Sequence, residues 1–157
     1  MKSFAEHAAT KVVLKRGAQV IELNARGPVV GWETELDRAY PRPVDYKTVS
    51  GKREEIALPD AHPRVAKWVE HRIYLMAGKI LAEGGELEQV YPAPLPTDPV
   101  KMAELADSIR AEMNAANLRD GDLTKLMKAY YTLQHGDLPT IAQAQAEGNA
   151  SQPSAAT

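Results

Sequence analysis

Apolar and polar positions along the chain first alternate and then recur every three to four residues. Two short β-branched runs, at 12–14 and 20–23, flank KRGAQ, where Gly17 can supply the positive φ of a tight turn. The pattern predicts a β-hairpin over 11–24. A lone hairpin is marginal in water, so it is expected to lie on the helices that follow or on a sheet edge of another subunit. From residue 28 the period lengthens. Pro28 suits the first position of a helix, and Val29, Trp32, Leu36 and Ala39 make one stripe. Tyr40 must release the chain, because a residue before proline is pushed out of the α region. A helix over 28–39 is therefore expected.

VDYKTVSGKREEIALPD reads as a charged, solvent-facing excursion about Ser50-Gly51-Lys52, with strand character at its ends, and 44–59 is expected to behave as a mobile loop. The clearest helix is predicted over 62–83. Val65, Val69, Ile73, Met76 and Ile80 form its main stripe, Trp68 and Leu75 widen it, and Gly84-Gly85 stops it. Four prolines between 92 and 99 forbid helix and central strand there. Asp98-Pro99 then restarts a helix over 98–116, with Met102, Leu105, Ala106, Ile109 and Met113 as its stripe. A last helix over 120–135 is expected to be capped by Asp120, to bury Leu123, Leu126, Met127, Tyr130 and Leu133, and to end at Gly136. The fold class expected is α+β and mostly helical: an N-terminal β-hairpin, about four amphipathic helices with Pro-rich connections, and a disordered C-terminal tail at 140–157. One small domain over 1–139 accounts for the rest.

Composition narrows the function classes. The 157 residues carry a net charge of −2 with 25% charged residues, so nothing demands nucleic acid or membrane as a partner. There is no Cys, which removes disulfides, thiolate nucleophiles and Cys-ligated metals. The first residues lack the apolar run of a signal peptide, and no stretch approaches the ~18 apolar residues of a membrane span, so a cytoplasmic site of synthesis is expected.

Phosphate-loop, dinucleotide-binding, nucleophile-elbow and zinc-protease motifs are all missing. His62 and His71 fall on opposite faces of one helix and cannot share a metal through it. NLRDGDL suggests a calcium loop only until it is aligned: with Gly121 at the sixth position, Ala116, Leu118 and Met127 stand where oxygen ligands are required. No catalytic, cofactor-binding or metal residue is assigned, and an enzyme is the least favoured class. Lys11, Lys15 and Arg16, with Lys47, Lys52 and Arg53, are the best candidates for phosphate contacts, but they alternate with acids.

ELDRAYPRP at 35–43 and ELEQVYPAP at 86–94 match over nine residues and diverge on both sides. Duplication would carry the hydrophobic pattern through whole units, so each Tyr-Pro-x-Pro is read mainly as punctuation after a helix and secondarily as a polyproline II ligand. Val12, Leu14, Ile21 and Leu23 in the hairpin, with Trp32, Trp68 and Tyr74, are the candidate partner-binding residues; core packing is the competing role for each.

Taken in order, KVVLKRGAQVIELNARGPVVGWETELDRAYPRP, the central amphipathic helix with its polar excursion, and LRDGDLTKLMKAYYTL resemble in layout the small proteins of tailed-phage morphogenesis, tail assembly chaperones in particular. The resemblance covers residues 11–134 and carries no diagnostic motif. It implies a short β element followed by helices, and a non-enzymatic role in binding the tape measure protein or tail tube subunits in the cytoplasm of a bacterial host. It leaves homo-oligomerisation open. A structural head or tail component of the virion and a small DNA-binding regulator are the alternatives.

Overall fold

The computed structural model describes residues 9–136. The tail expected at 140–157 lies outside them. Strands β1 (Ala9–Arg16) and β2 (Gln19–Arg26) form an antiparallel hairpin closed by Gly17, at φ +58°, and Ala18. Val12 stands opposite Leu23, and Leu14 opposite Ile21. Period-two alternation puts Val12, Leu14 and Ala25 inside while Val13 and Val20 face solvent. The buried face lies on helices of its own chain, β1 on α4 (Asp120–His135) and β2 on α2 (Pro63–Glu83).

Helix α1 spans Trp32–Ala39, four residues shorter at its start than the sequence pattern suggests. Gly31 takes φ +89° as its N-cap, and Val29 and Val30 are exposed. Val29 therefore does not belong to the stripe. Trp32, Leu36 and Ala39 do, and all three are buried. The segment expected as a mobile loop is instead a second hairpin, β3 (Val44–Val49) paired with β4 (Lys52–Ala57). Ser50 at φ +51° and Gly51 at φ +78° give the two left-handed residues of a tight hairpin turn.

Helix α2 is central and packs on β2, α3 (Pro99–Ala115) and α4. Its buried residues are Val65, His71, Leu75, Met76, Ala77, Ile80 and Leu81, while Val69 is exposed and Ile73 only half-buried. Val65, Leu75, Met76 and Ile80 of the expected stripe are thus buried, and the face is broader than expected because three neighbours pack on it. Gly78 lets α3 and the 91–95 segment close in: a Cβ there would meet Tyr91 Oη at 2.6 Å and Ile109 Cγ2 at 2.8 Å. α2 ends in a Schellman motif, with Gly85 at φ +79° and the Glu86 N–H donating to the Leu81 carbonyl at 2.8 Å. Asn117, at φ +60°, ends α3 the same way.

One cap differs from expectation. Asp120 is the first residue of α4 and not its cap; Asp122 reaches back instead, accepting the Arg119 N–H at 2.9 Å. The buried Asp122 carboxylate also takes the Arg16 guanidinium, which ties β1 to the start of α4. The second Tyr-Pro-x-Pro stands eight residues beyond the end of α2, so it does not punctuate a helix. Tyr91 is a core residue whose O–H donates to the Leu75 carbonyl at 2.6 Å.

Three buried tyrosines make the core sensitive to alkali. Burial raises the phenol of Tyr91, with Tyr130 adding to it. Burial, then the bond to and charge of Glu33, raise that of Tyr130. Burial and the charge of Asp107 raise that of Tyr40. Above about pH 10 an unfolded tyrosine gives up a proton that the native state keeps, so the native state binds more protons and stability falls as pH rises. Below pH 10 this contribution is fully present. We expect Tm to drop from pH 10 upward, with the phenolate absorbance of Tyr91 and Tyr130 appearing together with loss of helical circular dichroism. Tyr91→Phe should flatten the drop; phenolate absorbance from these two residues in the folded state would contradict their burial.

Candidate partner-binding groove

The groove forms where three distant segments meet. Tyr40 closes α1, its N–H bonding the Leu36 carbonyl at 2.8 Å, and the following Pro41-Arg42-Pro43 turns the chain into β3. Three contacts fix the tyrosine. Its O–H lies 2.7 Å from His71 Nδ1, and Trp68 Nε1–H donates to its carbonyl at 2.9 Å. His71 Nε2 lies 3.0 Å from Asp107, a carboxylate that only accepts, so Nε2 carries the ring proton and Nδ1 accepts from Tyr40. This chain of bonds, buried at Tyr40 and His71 and open to solvent at Asp107, joins the end of α1 to α2 and α3.

The foot of the second hairpin is fastened from below. Arg42 donates to the Leu58 carbonyl and to Asp60, both at 2.8 Å, and Arg64 to the Val44 carbonyl at 3.4 Å. Above the foot the hairpin is an arm about 20 Å long, at ~3.3 Å per residue. Every strand residue except Val44 is exposed, and among the described residues β3 and β4 pair only with each other. Arg53 lies 3.8 Å over the Tyr46 ring on one face, and Lys47 stands opposite Glu54 on the other.

Between the foot of this arm and the first turns of α2 and α3 lies an open cavity of 550 Å³. Tyr40, Pro41, Pro43, Val44 and Tyr46 form one wall, Arg64, Lys67 and Trp68 of α2 the second, and Pro99, Val100 and Ala103 of α3 the third. Its surface is mainly apolar, the charges at its rim are Arg42, Arg64 and Lys67, and no carboxylate lines it. It can hold side chains against Trp68 and the prolines, and it presents cations to whatever flanks them.

The candidate residues are dispersed over the fold. Val12, Leu14 and Trp32 are buried in the core. Ile21 and Leu23 line shallow cavities of 110 and 80 Å³ against the end of α3. Tyr74 borders a 20 Å³ space with Met113 and Leu126, with the Arg110 guanidinium 5.9 Å from its ring. Trp68 alone of the seven faces the large groove. Of its companions there, Tyr46, Lys67 and Val100 carry no sequence signal, while Tyr40 stands in the first Tyr-Pro-x-Pro. The signal that pointed nearest was the first Tyr-Pro-x-Pro, whose residues form one wall of the groove.

Among the described residues no helix is long and apolar enough to cross a membrane, and no three His, Asp or Glu are grouped to hold a metal. Comparison with protein-family models, with curated proteins and with solved structures gives no match.

Proposed function

We propose that this chain is a non-enzymatic assembly factor of tailed-phage morphogenesis, of the tail assembly chaperone kind, which holds a tape measure or tail tube polypeptide before incorporation. One observation carries the reading: a two-stranded arm exposed on both faces, standing over an open apolar groove. Isolated hairpins of this kind are marginal in water, and a partner laid along the arm would cover edges that no other described strand pairs with. The arm suits equally a virion component that reaches onto a neighbouring subunit, which is the second reading. A DNA-binding role draws less support, because Lys11 is paired with Glu22 at 3.4 Å and Lys47 faces Glu54.

The test is mass spectrometry of proteins that co-purify with the chain from its native source, beside the same measurement on finished particles. Recovery of a tape measure or tube subunit, with the chain missing from particles, is the expected result. Fixed stoichiometry in the particle would make it a structural component, and no phage protein in either sample would remove the assembly reading.

A further inference from the structure

We infer that the groove between the second hairpin, α2 and α3 binds an acidic amphipathic segment of a partner polypeptide, an inference that rests on the assembly reading in taking the ligand to be a protein. Its apolar surface is built from Trp68, Val44, Val100 and the prolines. The Trp68 indole N–H is already given to the Tyr40 carbonyl, so what Trp68 offers a ligand is apolar and π surface rather than a hydrogen bond. At 550 Å³ the cavity falls within the range of ligand sites and has room for a few anchoring side chains.

Charge selects among apolar ligands. Arg42 is committed to Asp60 and the Leu58 carbonyl. Arg64 makes a single long bond to a carbonyl, and Lys67 has no ion pair among the described residues. Of the acids near it, Asp60 pairs with Arg42, Asp45 accepts the Tyr46 N–H, Asp98 the Val100 N–H, and Asp107 lies against His71, while Glu55 stands opposite Tyr46 on β4. Arg64 and Lys67 stand one turn apart on α2, so carboxylates spaced along an amphipathic segment can meet both while its apolar face meets Trp68. The N-terminal ends of α2 and α3 add partial positive charge on the same side. A single-stranded nucleic acid would also find cations and aromatic rings here. Half of the lining is valine, proline and alanine, however, and two uncommitted cations are few for a phosphate track.

The full chain should be titrated with three probes: a helical peptide of Leu, Ala and Glu, its twin with Lys for Glu, and a short single-stranded oligonucleotide. Tryptophan fluorescence reads Trp68, since Trp32 is buried. The acidic peptide is expected to bind in a salt-sensitive manner with shifts confined to Trp68, Val100 and Tyr46. The double variant R64E/K67E, changed at two exposed positions, should stay folded, giving up only the long Arg64 bond to the Val44 carbonyl, and lose about tenfold in affinity for the acidic peptide while gaining for the basic one; K67E alone, which breaks no bond, should shift affinity the same way with its melting temperature unchanged. Equal binding of both peptides, preference for the oligonucleotide, affinity unmoved by R64E/K67E, or no binding at millimolar peptide would each overturn the inference. If phage tail proteins are still captured by R64E/K67E, the groove assignment falls and the assembly reading stands. If the charge preference holds but no phage protein is captured, the groove stands and the assembly reading falls.

Discussion

Gly84→Ala should cost about 3 kcal/mol, at the top of the range for overpacking, and lower Tm by about 10 °C. Gly84 sits just past α2 with an ordinary φ of −81°, so backbone freedom is not what it supplies. It allows the end of α2 to touch β2. A Cβ there would collide with the Asn24 carbonyl oxygen, and would lie 2.6 Å from the carbonyl carbon and 3.0 Å from the Ala25 nitrogen. These are backbone atoms in a paired strand, Asn24 opposite Lys11 and Ala25 opposite Thr10. The strand cannot yield without opening its ladder, and the Glu86 carboxylate holds it in place by accepting the Asn24 N–H at 3.1 Å. The neighbouring Gly85 is the control. It has φ +79° and open space around its α carbon, so Gly85→Ala should cost only about 1 kcal/mol, from backbone strain. Urea unfolding of the two variants separates the causes. A Gly84→Ala chain as stable as the parent would mean that α2 and the first hairpin do not approach as closely as described.

The first hairpin and the three long helices were legible because their signals are local. Period-two alternation about Gly17 gave the hairpin, and Pro63, Pro99 and the stops at Gly84-Gly85 and Gly136 bracket runs with helical period to within a residue or so. Three kinds of feature were hidden. The second hairpin has no alternation to read, since an arm exposed on both faces can be polar on both; its one sharp signal was Ser50-Gly51. The buried face of α2 was legible in part: Val65, Leu75, Met76 and Ile80 are buried as expected, while His71, Ala77, Gly78 and Leu81 were missed because periodicity rewards large apolar residues, and at Gly78 it is small size that lets its neighbours close in. The groove was illegible for a different reason. Its walls come from residues 40–46, 64–68 and 99–103, which no local pattern links. Trp68 stood out by size, which could not distinguish it from Trp32, and Tyr40-Pro41-Arg42-Pro43 stood out as a motif that was read mainly as a helix stop.

The two tryptophans should separate cleanly on mutation. Trp32→Ala is expected to lose about 4 kcal/mol, the cost of removing a fully packed indole. Trp32 is 3% exposed and meets the edge of Tyr91 at 6.3 Å and that of Tyr130 at 6.2 Å, so its loss opens a cavity between α1, α4 and the 91–95 segment. Its indole N–H has no partner in the core, a standing cost that phenylalanine would relieve. Trp32→Phe should therefore cost well under half as much as Trp32→Ala. Trp68 is half-buried, and the alanine change there removes the bond to the Tyr40 carbonyl and part of the groove surface, for about 2 kcal/mol. The chain should stay folded, with the Tyr40 corner loosened and the fluorescence response to the acidic peptide gone. Denaturant unfolding and near-ultraviolet circular dichroism rank the variants. If Trp68→Ala proves the more destabilising, then Trp68 is a core residue and the groove it lines has no surface to spare for a partner.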